Sequence, residues 1–178
     1  MTDPAMHRLE VRRVVHASVS RVFEAWTEPR HLRIWWGPRD VRCLDASVDL
    51  RVGGTYRIVN GMPDGAQVTI FGEFRVVEPP TRLVYTWRSG PDSPASELVT
   101  VTFRPLGRDT EVTVIHDFIS GPALRDGHMK GWIGCIEGLN RYLAGSDLEW
   151  TRDAPSPAVE GSPPPAGPLV HKRKRDKP

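Results

Sequence analysis

The amino-acid sequence predicts an α+β fold: a curved antiparallel sheet of about seven strands wrapped on a long C-terminal helix, with two short helices after the first strand. Three observations carry this expectation. Six strand-like runs between residues 40 and 117 are separated only by short turn sequences, Gly53-Gly54, Pro63-Asp64-Gly65, Pro79-Pro80, Gly90-Pro91-Asp92 and Gly107-Arg108-Asp109. Turns this short join antiparallel neighbours, because parallel neighbours need crossovers of about a dozen residues or more. After them, Trp132, Cys135, Ile136, Leu139 and Leu143 recur at helical spacing. A helix with one apolar stripe must bury it, and the concave face of the meander is the large apolar surface on offer.

In chain order, residues 8–16 mix β-branched and basic residues with partial alternation and form a first strand. Ser18 or Ser20 caps a short helix whose apolar positions are Val22, Phe23 and Trp26, and which stops before Pro29. A second short helix starts at that proline and runs to Trp35, where Trp36-Gly37-Pro38 ends it. The strands follow at about 40–49, 53–60, 67–77, 81–89, 96–105 and 109–117. Alternation puts Val99, Val101 and Phe103 on one face, and likewise Val112, Val114 and His116. Tyr85 and Trp87 share a face and Thr86 and Arg88 the other, with the inward pair undecided. The final helix starts between Gly121 and Gly127 and ends at Ala144-Gly145.

A chain of 178 residues with 39% apolar residues suits one domain with a real core. The expected division is a folded domain over 1–150 and a disordered Pro-rich tail over 151–178, which holds seven of the 17 prolines and ends in Lys172-Arg173-Lys174-Arg175. That tail carries six basic and three acidic residues, leaving 18 and 19 in the body, so the excess positive charge belongs to the tail. A body without excess positive charge is a poor nucleic-acid binder, and no specific nucleic-acid partner is expected. Two distant cysteines, Cys43 and Cys135, fit a reducing compartment, and no apolar run is long enough for membrane insertion. A cytoplasmic location is the simplest expectation.

Trp35-Trp36-Gly37-Pro38, then Asp49-Leu50-Arg51-Val52-Gly53-Gly54-Thr55-Tyr56, then His128-Met129-Lys130-Gly131-Trp132 resemble, in that order, the family named after the activator of the heat-shock chaperone ATPase. The resemblance spans about residues 8–145 and implies the START-like, or SRPBCC, helix-grip superfamily, in which a curved sheet grips the C-terminal helix around a cavity for an apolar ligand. It supplies no catalytic residue set. The eukaryotic activator is similar only in its C-terminal domain, so the family name is not carried over as the function.

Strong catalytic motifs are absent: no Gly-x-Ser-x-Gly, His-Glu-x-x-His, phosphate-binding glycine loop or Cys-x-x-Cys. The neighbouring carboxylates Asp45 and Asp49 fit a solvated face. His116, in phase with Val112 and Val114, and His128, on the apolar stripe of the last helix, are placed to reach the space between sheet and helix. They would orient a ligand or trade protons with it, or else serve as hydrogen-bonded histidines at the core's edge. The candidate ligand-binding set is His116, His128, Trp132, Trp35, Trp36, Tyr85 and Cys135, with no metal and no cofactor. The leading reading is a binding module for an apolar or aromatic small molecule. Its alternatives are a cyclase, dehydratase or hydrolase using His116 and His128 with Tyr85, or an auxiliary of a chaperone ATPase; a homodimer is also compatible.

Overall fold

Ten elements follow one another in the expected order, among the residues that the computed structural model describes, 6–93 and 97–145. They are β1 (His7–Val15), α1 (Val19–Thr27), α2 (Pro29–Trp35), β2 (Arg42–Val48), β3 (Thr55–Gly61), β4 (Gln67–Glu78), β5 (Arg82–Ser89), β6 (Glu97–Leu106), β7 (Asp109–Ile119) and α3 (Pro122–Ala144). The expected tail over 151–178, with its basic run, lies outside the described residues.

The strands form a single antiparallel sheet in the order β1-β7-β6-β5-β4-β3-β2. The curved sheet covers α3, whose buried positions are the five forecast by the helical stripe: Trp132, Cys135, Ile136, Leu139 and Leu143. Val99, Val101 and Phe103 on β6 and Val112, Val114 and His116 on β7 all point inward, as do Tyr85 and Trp87 on β5. In β7 the alternation breaks at Phe118, which takes a left-handed φ of 66° and is exposed, while Ile119 returns to the core. The register of β1 against β7 shifts at the same place, from Leu9–His116 to His7–Ile119, so the bulge resets which face is buried.

Between β1 and β2 the chain turns twice. Glu28 ends α1 and precedes Pro29, and the proline ring pushes it into extended geometry (φ −90°, ψ 122°), which separates two helices that would otherwise merge. Ser18 occupies the N-cap position of α1, yet its hydroxyl makes no capping bond, contrary to the role expected for a serine there. Gly37 closes α2 with φ 117°, and a Cβ there would lie 2.3 Å from the Val41 carbonyl oxygen, so the turn requires glycine. The two short helices carry Trp26, Trp35 and Trp36 into one aromatic cluster: Trp26 stacks on Trp132 at 6.0 Å and Trp36 meets it edge-on at 5.8 Å. α3 is thereby pinned to the α1–α2 layer as well as to the sheet.

Asp45 pairs with Arg33 and Arg57, and Asp49 with Arg51, all on the outside, as expected of a solvated face.

Candidate functional site

A cavity of about 190 Å3 lies between the sheet and the N-terminal half of α3. Its walls come from the ends of β3, β4 and β5 (Asn60, Ile70, Trp87), from the α2–β2 loop (Trp36, Pro38, Val41) and from α3 (Gly127, His128, Gly131, Trp132, Cys135). Gly127 is exposed and marks its rim. Four of the seven residues expected to bind a ligand, Trp36, His128, Trp132 and Cys135, line this one space.

The other three are placed differently. Tyr85 borders a separate apolar void of about 30 Å3, room for about one water molecule. Trp35 donates its indole N–H to the Ala25 carbonyl at 2.8 Å and borders an outer cleft beside Arg33 and Arg141. His116 is fully buried behind the cavity wall, stacked on the His128 ring at a centroid distance of 4.6 Å.

The two imidazoles converge on a carboxylate absent from the sequence-derived set. Oε2 of Glu97 lies 2.7 Å from Nε2 of His116 and 3.0 Å from Nε2 of His128. The His116 contact is short although its ring N–H is not aimed along it. Glu97 is in phase with Val99, Val101 and Phe103, so the alternation that turns those residues inward also turns this carboxylate inward. A carboxylate on a buried face was the available signal, masked by its place as the first residue of its strand.

Hydrogen-bond capacity fixes the proton positions. The Trp132 indole can only donate, and it donates to Nδ1 of His116 at 3.1 Å. Nδ1 is therefore bare, and neutral His116 carries its proton on Nε2, facing Glu97. A second proton on His116 would set two N–H groups against each other, and burial, only partly opposed by Glu97, also pulls its pKa below the usual histidine value. Burial alone would raise the Glu97 pKa, but the ring N–H groups of His116 and His128 outweigh it and hold the carboxyl below its ordinary range. Ionised Glu97 is an acceptor only, so His128 also presents Nε2–H to it. Among the described residues Nδ1 of His128 has no hydrogen-bond partner.

Glu97, His116 and His128 offer ligand atoms within 4.8 Å of one another, a spacing a metal ion could bridge. The donor pattern works against it. A metal-bound imidazole donates its other ring N–H to an acceptor, whereas Nδ1 of His116 faces the donor of Trp132. Binding through Nε2 would break that bond. Cys135 is also a poor reactive group, because burial pushes its thiol up to about 12 and keeps it protonated.

A sheet that wraps one long helix around a cavity at their interface is the START-like helix-grip architecture. The family model described as activator of Hsp90 ATPase homolog 1-like protein matches residues 16–144, and the chain belongs to that family. Among solved structures, a Nitrosomonas europaea protein is 25% identical, with 80% of this chain and 97% of that one covered at a TM-score of 0.68. An AHSA1-like protein of Aeromonas hydrophila is also 25% identical, covering 83% and 99% at 0.67. The AHSA1 protein of Silicibacter pomeroyi, 22% identical over 78% and 98% at 0.68, shares the fold. No curated protein matches the chain in sequence. No helix among the described residues is long and apolar enough to cross a membrane.

Proposed function

We propose that this protein is a small-molecule-binding module that holds a compact, mainly apolar ligand between its sheet and the N-terminal half of α3. The observation that carries the reading is the cavity of about 190 Å3, walled by Trp36, Trp87, Trp132 and Ile70. Side chains here reach across the gap without filling it, and apolar hollows of about 150 Å3 are known to accept a single aromatic ring. The volume sets the scale of the guest: one ring or a short branched chain, not a sterol or a long acyl chain.

Toluene is a suitable probe, followed by tryptophan fluorescence and by amide NMR shifts of α3. Saturable binding between micromolar and millimolar is the expected result, since even the best small ligands gain at most about 1.5 kcal/mol per heavy atom. Gly131→Leu supplies the control. A Cβ at Gly131 would meet nothing within 4 Å, so a leucine there extends into the cavity and should abolish binding without unfolding the protein. Absence of saturable binding in the parent protein, or undiminished binding in Gly131→Leu, would overturn the reading. A chaperone-auxiliary role, suggested by the family description, predicts instead that Gly131→Leu leaves any stimulation of chaperone ATP hydrolysis intact.

A further inference from the structure

The outer cleft beside Trp35 breaks a pattern kept over much of the surface. Elsewhere exposed arginines sit beside carboxylates: Arg12 with Glu10, Arg51 with Asp49, Arg75 with Glu73 and Arg104 with Glu111. In this cleft, of about 590 Å3, Arg33, Arg39, Arg42 and Arg141 gather, and among the described residues no carboxylate lines it. Arg33 is already committed, since it donates to Asp45 at 2.9 Å. Arg39, Arg42 and Arg141 make no ion pair among the described residues.

Three separate features of the chain deliver these groups. The turn after α2 closes with the Val41 N–H donating to the Pro38 carbonyl at 3.0 Å, and Arg39 within it takes a left-handed φ of 45°. Glycine or asparagine would adopt that conformation at lower cost. Gly138 has no side chain, so the guanidinium of Arg141 folds back over it, and a Cβ there would lie 3.9 Å from its Nη2. The edge strand β2 carries a bulge, because Cys43 faces Asn60 while Asp45 faces Val59. The extra residue, Leu44, is left 51% exposed at the cleft, and Ile34 on α2 is 66% exposed beside the same space.

We propose that this cleft docks an acidic segment of another protein, with its carboxylates on Arg39, Arg42 and Arg141 and an apolar side chain against Ile34 and Leu44. Exposed arginines hold a lone small anion weakly in salt solution, whereas several carboxylates on one chain add their attractions. A free phosphate or carboxylate would also leave Ile34 and Leu44 bare. A nucleic-acid strand would match the charge, but its bases need exposed rings to stack on, and Trp35 and Trp36 are buried in the wall. Trp36 and Val41 stand in the walls of both this cleft and the inner cavity, whereas the arginines line only the outer one. Docking here is therefore a role additional to ligand binding.

The test titrates the full chain with a fluorescein-labelled peptide, Asp-Glu-Leu-Glu-Asp-Leu-Glu, followed by anisotropy. Saturable binding that weakens as salt rises is expected, with much weaker binding of the same peptide carrying Asn and Gln in place of the acids. Serine in place of the two leucines should also weaken binding, and Ile34→Ser should reduce that preference for leucine. The variant combining Arg39→Asn, Arg42→Gln and Arg141→Gln should bind the acidic peptide about tenfold more weakly, because exposed ion pairs are each worth a factor of about two to five. Asparagine suits the left-handed turn at position 39 and the other two sites are exposed, so the fold should persist. Arg75→Gln, Arg82→Gln and Arg104→Gln together remove the same charge from paired arginines elsewhere, and that variant should bind as the parent does. Equal binding of the neutral peptide, undiminished binding in the cleft variant, or an equal loss in the charge control would overturn the proposal. Tighter binding of a single-stranded oligothymidylate of matching charge would do so too, and would mark the cleft as a nucleic-acid surface. The cavity is tested by toluene and Gly131→Leu alone, so failure of the peptide leaves the binding module standing.

Discussion

The helix α3 carries two pairs of glycines at the same spacing, Gly127 with Gly131 and Gly134 with Gly138, and the two pairs serve opposite ends. In the C-terminal half, a Cβ at Gly134 would lie 2.6 Å from the Pro38 Cβ, and one at Gly138 would lie 2.9 Å from the Trp35 carbonyl oxygen. Missing side chains there let the helix press against the end of α2 and the turn after it. In the N-terminal half, a Cβ at Gly127 or Gly131 would meet nothing within 4 Å. The same residue type seats one end of the helix against α2 and leaves the other end open. An absent side chain thus means contact or space depending only on how near the opposing backbone comes, which residue spacing along α3 does not encode.

Trp132 sits at the border of the two halves, stacked on Trp26 and bonded to His116. Its replacement by alanine should merge them and destabilise the protein by roughly 3–5 kcal/mol, the range for removing a large aromatic from a packed interior. A urea midpoint equal to the parent's would show that the closed half does not depend on this ring.

The closed half also holds His31, whose Nδ1 lies 2.7 Å from the Tyr142 hydroxyl on α3. Burial first, and Arg30 next, pull the pKa of His31 from 6.5 to about 4. The unfolded chain therefore binds a proton at this residue near pH 6.5 that the folded chain refuses until about pH 4. This contribution is fully present above pH 6.5 and lost as pH falls through that window, amounting to about 3 kcal/mol at most. His116, shifted the same way in the open half, adds a loss of the same sign. Stability measured from pH 7 to pH 4 should fall, and His31→Gln should flatten part of the slope. An unchanged slope in that variant would shift the acid sensitivity entirely to the open half.

Gly134→Ala should lose about 1–2 kcal/mol, because overpacking against Pro38 exceeds the gain in helix propensity. Gly131→Ala should do the reverse and stabilise by about 0.5–1 kcal/mol, since it removes a mid-helix glycine and meets no obstacle. Thermal melts of the two variants read the contrast directly, and like signs would erase the distinction between the halves.

Most of the architecture was legible because each strand boundary is written in turn residues and the α3 stripe has a clean period. Ile119 was not, since its burial depends on a bulge at Phe118 that alternation within β7 cannot foresee. At the candidate site the histidines were found from phase alone. Glu97 and Asn60 were missed although both continue inward-facing series, Glu97 before Val99 and Asn60 after Tyr56 and Ile58. Polar residues at strand ends resemble solvated ones until a neighbouring element covers them. The separation of Tyr85 from His128 depends on Trp36 and Trp87, which line both spaces, and that is a matter of three-dimensional packing.

The pairing of β1 with β7 has a consequence for how the chain comes together. Every other pair in the sheet joins consecutive strands, whereas Val15 meets Thr110 across most of the domain. During synthesis the hairpins from β2 to β7 can zip as they emerge, but β1 has no sheet edge to join until β7 has been made. Until then the first strand waits with α1 and α2 beside it. Such a long-range closure is the slow kind of step in folding, and it ties the earliest and among the latest residues of the domain into one cooperative event.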